Sequence, residues 1–360
     1  MKILPNPNLI LKLIVFIVFY QVPRLGLSNN FDDFNLLIQG SNQIAGTLTV
    51  PSQRKTTALV IMISGSGPQD RDETLDGFRI FGAISSDFAS KGIATFRFDD
   101  RGVNESTGNF QQSTFEDHVN DIERIIDFFK THDKHRFDNF VLLGHSQGGI
   151  VSTRVALERN EVKKLVLMGA PSVPLIDIVL YQLRQQYTSA NLDKRLIESE
   201  VSSHNRLMRA IHDGKKLKSV LIALKKSHEA ILKSTLLSNS SNSLLIKEKA
   251  EDMAKELEII YALPALTSFL YHDTSQEYEQ LKIPVLSLFG GMDLQVTISQ
   301  NKDRMENAFL KGGVNYNFVT FNSANHYFQK ARTGKRDEYA KLEKKFVDGF
   351  LDSISSWIIE

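Results

Sequence analysis

The chain has 360 residues, 42% of them hydrophobic, so it can bury one large core or one core that carries an insertion. Its 43 basic and 42 acidic residues nearly cancel, which argues against a nucleic-acid partner. The absence of cysteine excludes disulfide bonds, a cysteine nucleophile and thiolate metal sites.

Residues 1–28 have the pattern of an export signal. Lys2 gives a positive start, residues 13–20 form an apolar run, and Gly26-Leu27-Ser28 offers a small-x-small cleavage site. Lys12 interrupts the apolar region, and the run is shorter than the roughly 20 residues that cross a bilayer. We predict a cleaved signal peptide and an exported protein, periplasmic or secreted, without a stable membrane span. An uncleaved anchor is the alternative.

Short β-rich runs alternate with helical stretches through much of the chain, a pattern typical of an α/β sheet. Gly40-Ser41-Asn42 separates the first two runs and predicts a hairpin. Continuous apolar runs suit parallel strands that are covered on both faces. The eight predicted strands span residues 34–39, 44–50, 58–63, 93–98, 140–143, 165–168, 285–289 and 316–321. We therefore predict a mostly parallel eight-stranded sheet with helices on both faces.

A helix is predicted immediately before the strand at 140–143. Ser113-Thr114-Phe115-Glu116 fits a capping box at its start. The apolar residues that follow at helical spacing share one face and are Val119, Ile122, Ile126 and Phe129. We expect this face to cover the sheet.

A glycine-flanked serine follows the fifth predicted strand, in the hexapeptide Gly144–Gly149 (GHSQGG). A strand, this serine and a helix in that order form the context of a nucleophile elbow, where the hydroxyl is exposed on a strained turn. Gly144 and Gly148 lack a Cβ, so the strand and the helix can approach the serine closely. We predict Ser146 as a nucleophile and the backbone N–H of Gln147 as one donor of an oxyanion hole.

A serine hydroxyl needs a base that takes its proton and an acid that orients the base. Asp293 follows a predicted strand and a Gly-Gly turn, and His326 follows the last predicted strand. The order serine, acid, histidine is that of the nucleophile-elbow enzymes, and both loops lie at the ligand-binding edge of an open sheet. We predict Asp293 as the acid and His326 as the base. Asp303 is the chief rival acid, but it falls inside a predicted helix.

The other histidines suit the base role less well. His145 adjoins the serine and should point away from it. The rest that we considered precede the elbow (His118, His132) or lie in a predicted helical insertion (His204, His212, His228).

A second oxyanion donor should come from the loop after the third strand, which reads Ser64-Gly65-Ser66-Gly67-Pro68. Small residues there allow backbone N–H groups to face a substrate oxygen. We assign the donor to Ser66, with Gly65 as the near alternative. An ordinary tight turn is the nonfunctional interpretation.

The alternation of strands and helices stops after Pro171. Residues 175–263 contain no proline and a single glycine, while apolar residues keep helical spacing. We predict a helical lid at 173–280, with a turn in the Ser/Asn cluster at 238–243. The predicted organisation is therefore a signal peptide at 1–28, a core in two parts at 29–172 and 281–360, and the lid between them.

Five segments together resemble the α/β-hydrolase superfamily: residues 64–72, 99–102, the Ser146 elbow, 291–296 and 325–326. They are most similar to bacterial serine esterases grouped with serine aminopeptidase-like and dienelactone-hydrolase-like hydrolases. The resemblance covers about 35–171 and 281–358. It implies an α/β-hydrolase fold with an inserted lid, the catalytic order Ser146, Asp293, His326, and ester hydrolysis through an acyl-enzyme.

The resemblance also implies that Asp70-Arg71-Asp72 and Asp99-Asp100-Arg101-Gly102 brace loops through their charges. Two features depart from the pattern of the superfamily. The oxyanion loop lacks the His-Gly start common in lipases, and the length of the lid leaves the acyl preference open.

We therefore predict an exported serine carboxylesterase that acts on a small-molecule ester and requires neither a metal ion nor an organic cofactor. An aminopeptidase or acyltransferase with the same triad is the alternative. A peptidase should place an acidic group in its pocket to hold the substrate's amino terminus. The predicted lid, which carries eight basic residues between positions 205 and 233, gives little sign of one. A noncatalytic binding protein would be expected to lack a member of the triad, and none is missing. The natural substrate and the oligomeric state stay open.

Overall fold

The computed structural model describes residues 30–235 and 243–360. The predicted signal peptide lies outside these residues, as does nearly all of the predicted Ser/Asn turn. In the described part of the chain, no helix is both long and apolar enough to cross a membrane.

Ten strands are present among the described residues. In chain order they are β1 (Phe31–Ile38), β2 (Ile44–Pro51), β3 (Leu59–Ile63), β4 (Thr74–Leu75), β5 (Phe78–Arg79), β6 (Ala94–Phe98), β7 (Phe140–His145), β8 (Val162–Met168), β9 (Val285–Gly290) and β10 (Tyr316–Phe321). Eight of them form one sheet in the order β1-β2-β6-β3-β7-β8-β9-β10. The eight predicted strands are confirmed, whereas the small hairpin β4–β5 was not predicted.

The large sheet is mostly parallel, as predicted. β2 runs antiparallel to both β1 and β6, whereas the other neighbours in the sheet pair in parallel. The carboxyl ends of parallel strands share one edge of a sheet. The loops after β3, β7, β8, β9 and β10 therefore meet at that edge, where ligands bind in open α/β sheets.

Eleven α-helices lie within the described residues. They are α1 (Ile80–Ser90), α2 (Phe115–Thr131), α3 (Gln147–Glu158), α4 (Leu175–Ser189), α5 (Lys194–His212), α6 (Lys218–Thr235), α7 (Ser243–Ala262), α8 (Pro264–Leu270), α9 (Thr274–Tyr278), α10 (Ile298–Gly312) and α11 (Phe350–Ile359). Short 3₁₀ turns span Phe110–Gln112 and Arg336–Lys341.

The sheet separates two hydrophobic cores. Residues of α2, α3 and α10 pack on one face, and residues of α1 and α11 pack on the other. In β3, Ile61 enters the first core while Val60 and Met62 enter the second. Side chains of a strand alternate between its faces, so a strand covered on both sides needs the continuous apolar run that the sequence shows.

The start of α2 lies one residue later than the predicted capping box. Thr114 is the N-cap, and its hydroxyl and the carboxylate of Asp117 bond each other's backbone N–H groups. Ser113 instead donates its hydroxyl to the carbonyl of Phe110 at 2.5 Å. The carbonyl of Phe110, the first residue of the preceding 3₁₀ turn, thus binds the serine that the sequence pattern had placed at the cap.

Helices α4–α9 occupy the chain between β8 and β9. We call this segment the helical insertion. It has its own hydrophobic cluster, which includes Leu207 of α5, Leu224 of α6 and Ala254 of α7. α8 begins with Pro264 in its first turn, where a missing N–H is tolerated, which explains why a proline marks this boundary.

Candidate active site

Ser146 lies in the tight turn between β7 and α3. Its backbone adopts φ 51° and ψ −120°, a conformation that costs a residue with a side chain about 1–3 kcal/mol. Two backbone hydrogen bonds of 2.9 Å hold the turn: Ser146 N–H donates to Met168 O, and Gly149 N–H donates to Ser146 O. The side chain is partly exposed at the carboxyl edge of the sheet.

Two glycines allow the backbones around this turn to pack in direct contact. A Cβ at Gly148 would collide with the carbonyl oxygens of Ile63 and Ser64, and a Cβ at Gly144 would collide with the carbonyl of Gly148. The amino end of α3 is therefore pressed against the end of β3. This contact brings the loop after β3 beside Ser146.

Asp293 and His326 form a buried pair on the loops after β9 and β10. Asp293 Oδ2 lies 2.7 Å from His326 Nδ1, and the two residues are 4% and 2% exposed. Asp293 Oδ1 accepts backbone N–H groups from Gln295 at 2.7 Å and Val296 at 2.9 Å. With Nδ1–H donating to this fixed carboxylate, the imidazole keeps its Nε2 free to accept a proton.

The turn after β8 links Ser146 to this pair. Met168 accepts the Ser146 N–H, and a Cβ on the next residue, Gly169, would lie 3.3 Å from His326 Nδ1. Within the described residues, the Ser146 hydroxyl makes no hydrogen bond, so the serine and His326 share the site without a direct bond. Catalytic hydrogen bonds often become short only in the substrate complex.

The loop after β3 offers backbone N–H groups beside the serine. Gly65 N–H donates to Glu73 Oε1 at 2.8 Å, so it is already engaged. Ser66 is exposed, and its N–H has no acceptor among residues 30–235 and 243–360. Gln147 is the first residue of α3, where an amide has no partner within the helix. Of the two amides considered in this loop, only that of Ser66 is open to a ligand.

Glu73 and His145 form a second buried pair, which the sequence patterns did not predict. Glu73 Oε1 lies 2.7 Å from His145 Nδ1, and His145 Nε2 lies 3.1 Å from the carbonyl oxygen of His326. A carbonyl can only accept, so Nε2 carries a proton. Burial alone lowers the pKa of His145, but the charge and hydrogen bond of Glu73 outweigh it and raise the pKa. Both contacts of His145 therefore favour the protonated form of its ring.

These contacts connect the two sides of the site. Glu73 accepts from Gly65 in the loop after β3, and His145 donates to the backbone of His326. A signal was present in the sequence, because Glu73 extends the charged run Asp70-Arg71-Asp72. Its partner could not be identified from that run. Glu73 also adopts φ 48°, a left-handed conformation that the sequence pattern does not indicate.

The charged segments at 70–72 and 99–102 hold the loop after β3 in place. Arg71 donates to Asp99 through its backbone N–H at 2.8 Å and its guanidinium at 2.5 Å. Burial raises the pKa of Asp99, but hydrogen bonds from Arg71 and Asn104 outweigh it and lower that pKa. Asp72 pairs with Arg97 on β6.

The pKa of Asp100, beside Asp99, is shifted in the opposite direction. It accepts the Ser64 hydroxyl at 3.0 Å and the Gln69 N–H at 2.9 Å. Complete burial raises the pKa of Asp100 to about 8, despite these two hydrogen bonds. The carboxyl group is therefore largely protonated at neutral pH.

A cavity is lined by Gly65 and Gln147, the chain neighbours of Ser66 and Ser146. Its apolar wall combines residues of the sheet, of α2 and α3, of the 3₁₀ turn and of α8, namely Ile63, Phe98, Phe110, Ile122, Val151 and Phe269. The helical insertion thus supplies part of the wall through Phe269.

Four ionisable residues also line the cavity: Asp100, Arg101, His118 and Asp121. Arg101 donates to Asp121 at 2.6 Å, and Arg124 donates to the same carboxylate at 3.2 Å. Burial, with a smaller effect of Arg101, lowers the pKa of His118 to about 4. At neutral pH the cavity therefore presents a neutral imidazole and carboxyl groups that already have donors.

Comparison with known proteins places the chain among the hydrolases. Residues 76–326 match the Hydrolase_4 family, described as "Serine aminopeptidase, S33". The chain is 24% identical over 349 residues to Esterase EstD of Thermotoga maritima, covering 95% of this chain and 71% of that protein.

Solved structures share the fold. The esterase Pf2001 of Pyrococcus furiosus superposes with a TM-score of 0.56 at 12% identity, covering 92% of this chain and 91% of that one. A bromoperoxidase from Bacillus anthracis gives 0.50 at 14% identity, with coverage of 91% and 100%. At these identities, the similarity concerns the fold alone.

Proposed function

The chain belongs to the serine aminopeptidase S33 family of α/β-hydrolases, and from this premise we propose that it is a serine carboxylesterase. The observation that carries the proposal is the buried Asp293–His326 pair at 2.7 Å beside the strained turn of Ser146. The similarity to an esterase over 95% of the chain supports the choice of an ester substrate.

In the proposed reaction, His326 Nε2 takes the proton of the Ser146 hydroxyl as its oxygen attacks the ester carbonyl carbon. The tetrahedral intermediate collapses when the bond to the alcohol oxygen breaks, and His326 gives its proton to the departing alcohol. Water, deprotonated by the same imidazole, then attacks the acyl-enzyme. Collapse of the second intermediate releases the acid and returns the proton to Ser146.

The N–H groups of Gln147 and Ser66 are the proposed donors to the oxyanion. Both lack acceptors among the described residues, and both lie on segments that adjoin Ser146. A preorganised donor of this kind typically contributes 10²–10³ to kcat. Gly65 contributes differently, because its N–H holds Glu73.

The cavity beside these amides is the proposed acyl site. Its wall carries three phenylalanines and three aliphatic residues, and Gly65 and Gln147 also line it. An acyl chain placed there would leave the alcohol portion of the ester toward solvent. The helical insertion, which contributes Phe269, would then act as the lid that limits acyl length.

Aminopeptidase activity is the second candidate, because Asp100 and Asp121 line the cavity and a carboxylate is what an amino terminus requires. These acids come from the core and not from the lid. However, Asp121 is already paired with Arg101 and Arg124, and Asp100 is largely protonated. The pocket is thus less suited to a free ammonium group than to an acyl chain. An acyltransferase would use the same acyl-enzyme with an alcohol or amine in place of water.

The test is kcat/KM for p-nitrophenyl esters of increasing acyl length beside alanine p-nitroanilide. We expect ester hydrolysis by the wild-type protein, little anilide cleavage, and a loss of at least about 10³-fold in Ser146→Ala. The variant changes one exposed oxygen, so circular dichroism should match the wild type. Faster anilide than ester turnover would favour the aminopeptidase. Ester turnover unchanged in Ser146→Ala would refute the mechanism.

We also propose that the protein is exported after cleavage following Ser28. The proposal rests on the apolar run at 13–20 and the small-x-small pattern at 26–28. The amino-terminal sequence of the protein recovered from the cell exterior or periplasm should begin at Asn29. An intact amino terminus in a membrane fraction would instead identify an uncleaved anchor.

A further inference from the structure

Three buried side chains converge inside the helical insertion, away from the cavity beside Ser146. Glu200 and His204 are four residues apart on α5, and His228 faces them from α6. They are 0%, 3% and 1% exposed. One potential metal-ligating atom from each lies within 4.8 Å of the other two.

The contacts within this cluster are close but incompletely satisfied. Glu200 Oε1 lies 3.1 Å from His204 Nε2 and 2.6 Å from His228 Nδ1. The second contact lacks the alignment of a hydrogen bond. Among the described residues, neither ring nitrogen of His228 has a hydrogen-bond partner, and Glu200 Oε2 has none either. Buried polar atoms without partners are rare in folded proteins and are costly.

Two tyrosines contact the cluster, as hydrogen-bonding neighbours of the ligands do in metal sites. His204 Nδ1 lies 2.6 Å from the Tyr261 hydroxyl, and Tyr187 donates to Glu200 Oε1 at 3.2 Å. Histidines that bind metals usually donate their second ring N–H to such a neighbour, which leaves the first nitrogen unprotonated. The His204 Nε2 lone pair would then face a carboxylate oxygen, an arrangement that is favourable when a cation lies between them.

We propose that Glu200, His204 and His228 bind one Zn²⁺ ion, with a water molecule as the fourth ligand. Two imidazoles and a carboxylate are ligands that zinc accepts, and tetrahedral ligands at about 2.0–2.1 Å from the ion lie roughly 3.3 Å apart. The 3.1 Å between His204 Nε2 and Glu200 Oε1 is close to this separation. A rotation of His228 would lengthen its contact and direct a free nitrogen at the ion.

The role of the ion is structural. It ties α5 to α6 within the insertion, and none of its ligands lines the cavity of the proposed esterase. The site revises the expectation from sequence that no metal is bound. The pattern Glu-x-x-x-His is too common on helices to indicate zinc alone, and His228 joins it only through the packing of α6 on α5.

The test uses full-length protein that has been treated with a chelator and dialysed. Isothermal titration with Zn²⁺, together with elemental analysis after desalting, should give one ion per chain. The midpoint of thermal unfolding should rise with Zn²⁺ and not with Mg²⁺, because the imidazole ligands favour the transition metal. These readouts do not depend on esterase activity, so a failure of this proposal is distinct from a failure of the proposed function.

Two variants remove ligands while keeping similar volume, His228→Gln and Glu200→Gln. Each should lose at least about tenfold in zinc affinity and lose the thermal shift. The matched control is His135→Gln, which removes a histidine outside the cluster, whose ring lies 5.3 Å from that of His132. This variant should bind zinc as the wild type does.

Circular dichroism without added metal reports whether each variant is folded. If one ligand variant fails to fold, zinc binding by the other variant tests the proposal. The proposal is overturned if the wild-type protein binds no zinc, or if a folded ligand variant keeps the stoichiometry. It is also overturned if His135→Gln removes the binding. The cluster would then be a metal-free carboxylate shared by two histidines.

Discussion

Two buried side chains, Glu73 and His145, connect the loop after β3 to the loop that carries His326. Glu73 accepts from Gly65 N–H at 2.8 Å, while His145 donates to His326 O at 3.1 Å. Both residues are almost completely buried, so neither is positioned to touch substrate directly. We assign them a positioning role, in which they fix the relative placement of the serine turn and the base.

Glu73→Ala should reduce kcat/KM roughly 10- to 100-fold, mainly through kcat, because small displacements of reacting groups are costly. Glu73→Gln can still accept from Gly65 but cannot stabilise protonated His145. It should therefore retain intermediate activity and show a changed pH profile.

The control for these variants is Glu105→Ala, which removes an acid that is largely exposed and contacts Arg71 at the surface. It should leave kcat/KM within about twofold of the wild type, as expected for a surface ion pair. Steady-state kinetics from pH 5 to 9 checks all three variants. Equal activity of Glu73→Ala and the wild type across that range would refute the positioning role.

The neighbours Asp99 and Asp100 give opposite predictions for the pH dependence of stability. The folded protein raises the pKa of Asp100 from 3.8 to about 8, so it binds this proton more tightly than the unfolded chain. The contribution of Asp100 to stability is therefore fully present below pH 3.8 and is lost as the pH rises through about 8. For Asp99, whose pKa is lowered, the contribution is present above pH 3.8 and is lost at lower pH.

Asp100→Asn removes the titration that weakens the folded state as the pH rises. The free energy of unfolding of the wild type minus that of Asp100→Asn should fall between pH 5 and 8, by at most about 1.4 kcal/mol per pH unit. The corresponding difference for Asp99→Asn should not fall over this interval. Urea unfolding at several pH values measures both. If the difference between the wild type and Asp100→Asn instead rises with pH, the assigned direction of the Asp100 pKa shift is wrong.

Among the secondary-structure elements, the 3₁₀ turn Phe110–Gln112 and α8 both contribute to the wall of the proposed acyl site. Phe110 of the turn and Phe269 of α8 both line the cavity, although more than 150 residues separate them in the sequence. Phe269 is 1% exposed and belongs to the main core, so its truncation would endanger the fold. Phe110 is only partly buried and is the better position for a test.

Phe110→Ala should widen the cavity and raise the ratio of kcat/KM for the octanoyl ester over the acetyl ester by at least about threefold. Phe128→Ala is the matched control, because it removes the same ring from a partly buried position of α2 that does not line the cavity. Its ester preference should stay as in the wild type. An unchanged ratio in Phe110→Ala would place the acyl chain elsewhere.

The elements that the sequence predicts well are those with a local physical cause. The apolar run at 59–63 predicts a strand because both of its faces are buried. The hairpin β4–β5 was missed because strands of two residues carry no periodicity. The capping box at α2 was misplaced by one residue, since Ser113 and Thr114 are chemically equivalent as caps and only the neighbouring carbonyl of Phe110 distinguishes them.

For the molecule as a whole, the parallel sheet gathers residues from distant parts of the chain at one edge. Ser146, Asp293 and His326 could be proposed from sequence because each follows a predicted strand, and topology brings such positions together. Glu73 and His228 could not, because their contacts depend on a backbone turn with positive φ and on helix packing. Local patterns do not encode either feature.

Ser146 is the proposed nucleophile of a serine hydrolase. The most direct measurement is intact mass spectrometry after treatment with a fluorophosphonate, followed by peptide mapping. We expect one covalent adduct per chain, on the peptide that contains Ser146, and no adduct in folded Ser146→Ala. A wild-type protein that stays unlabelled, or a Ser146→Ala variant labelled to the same extent, would contradict it.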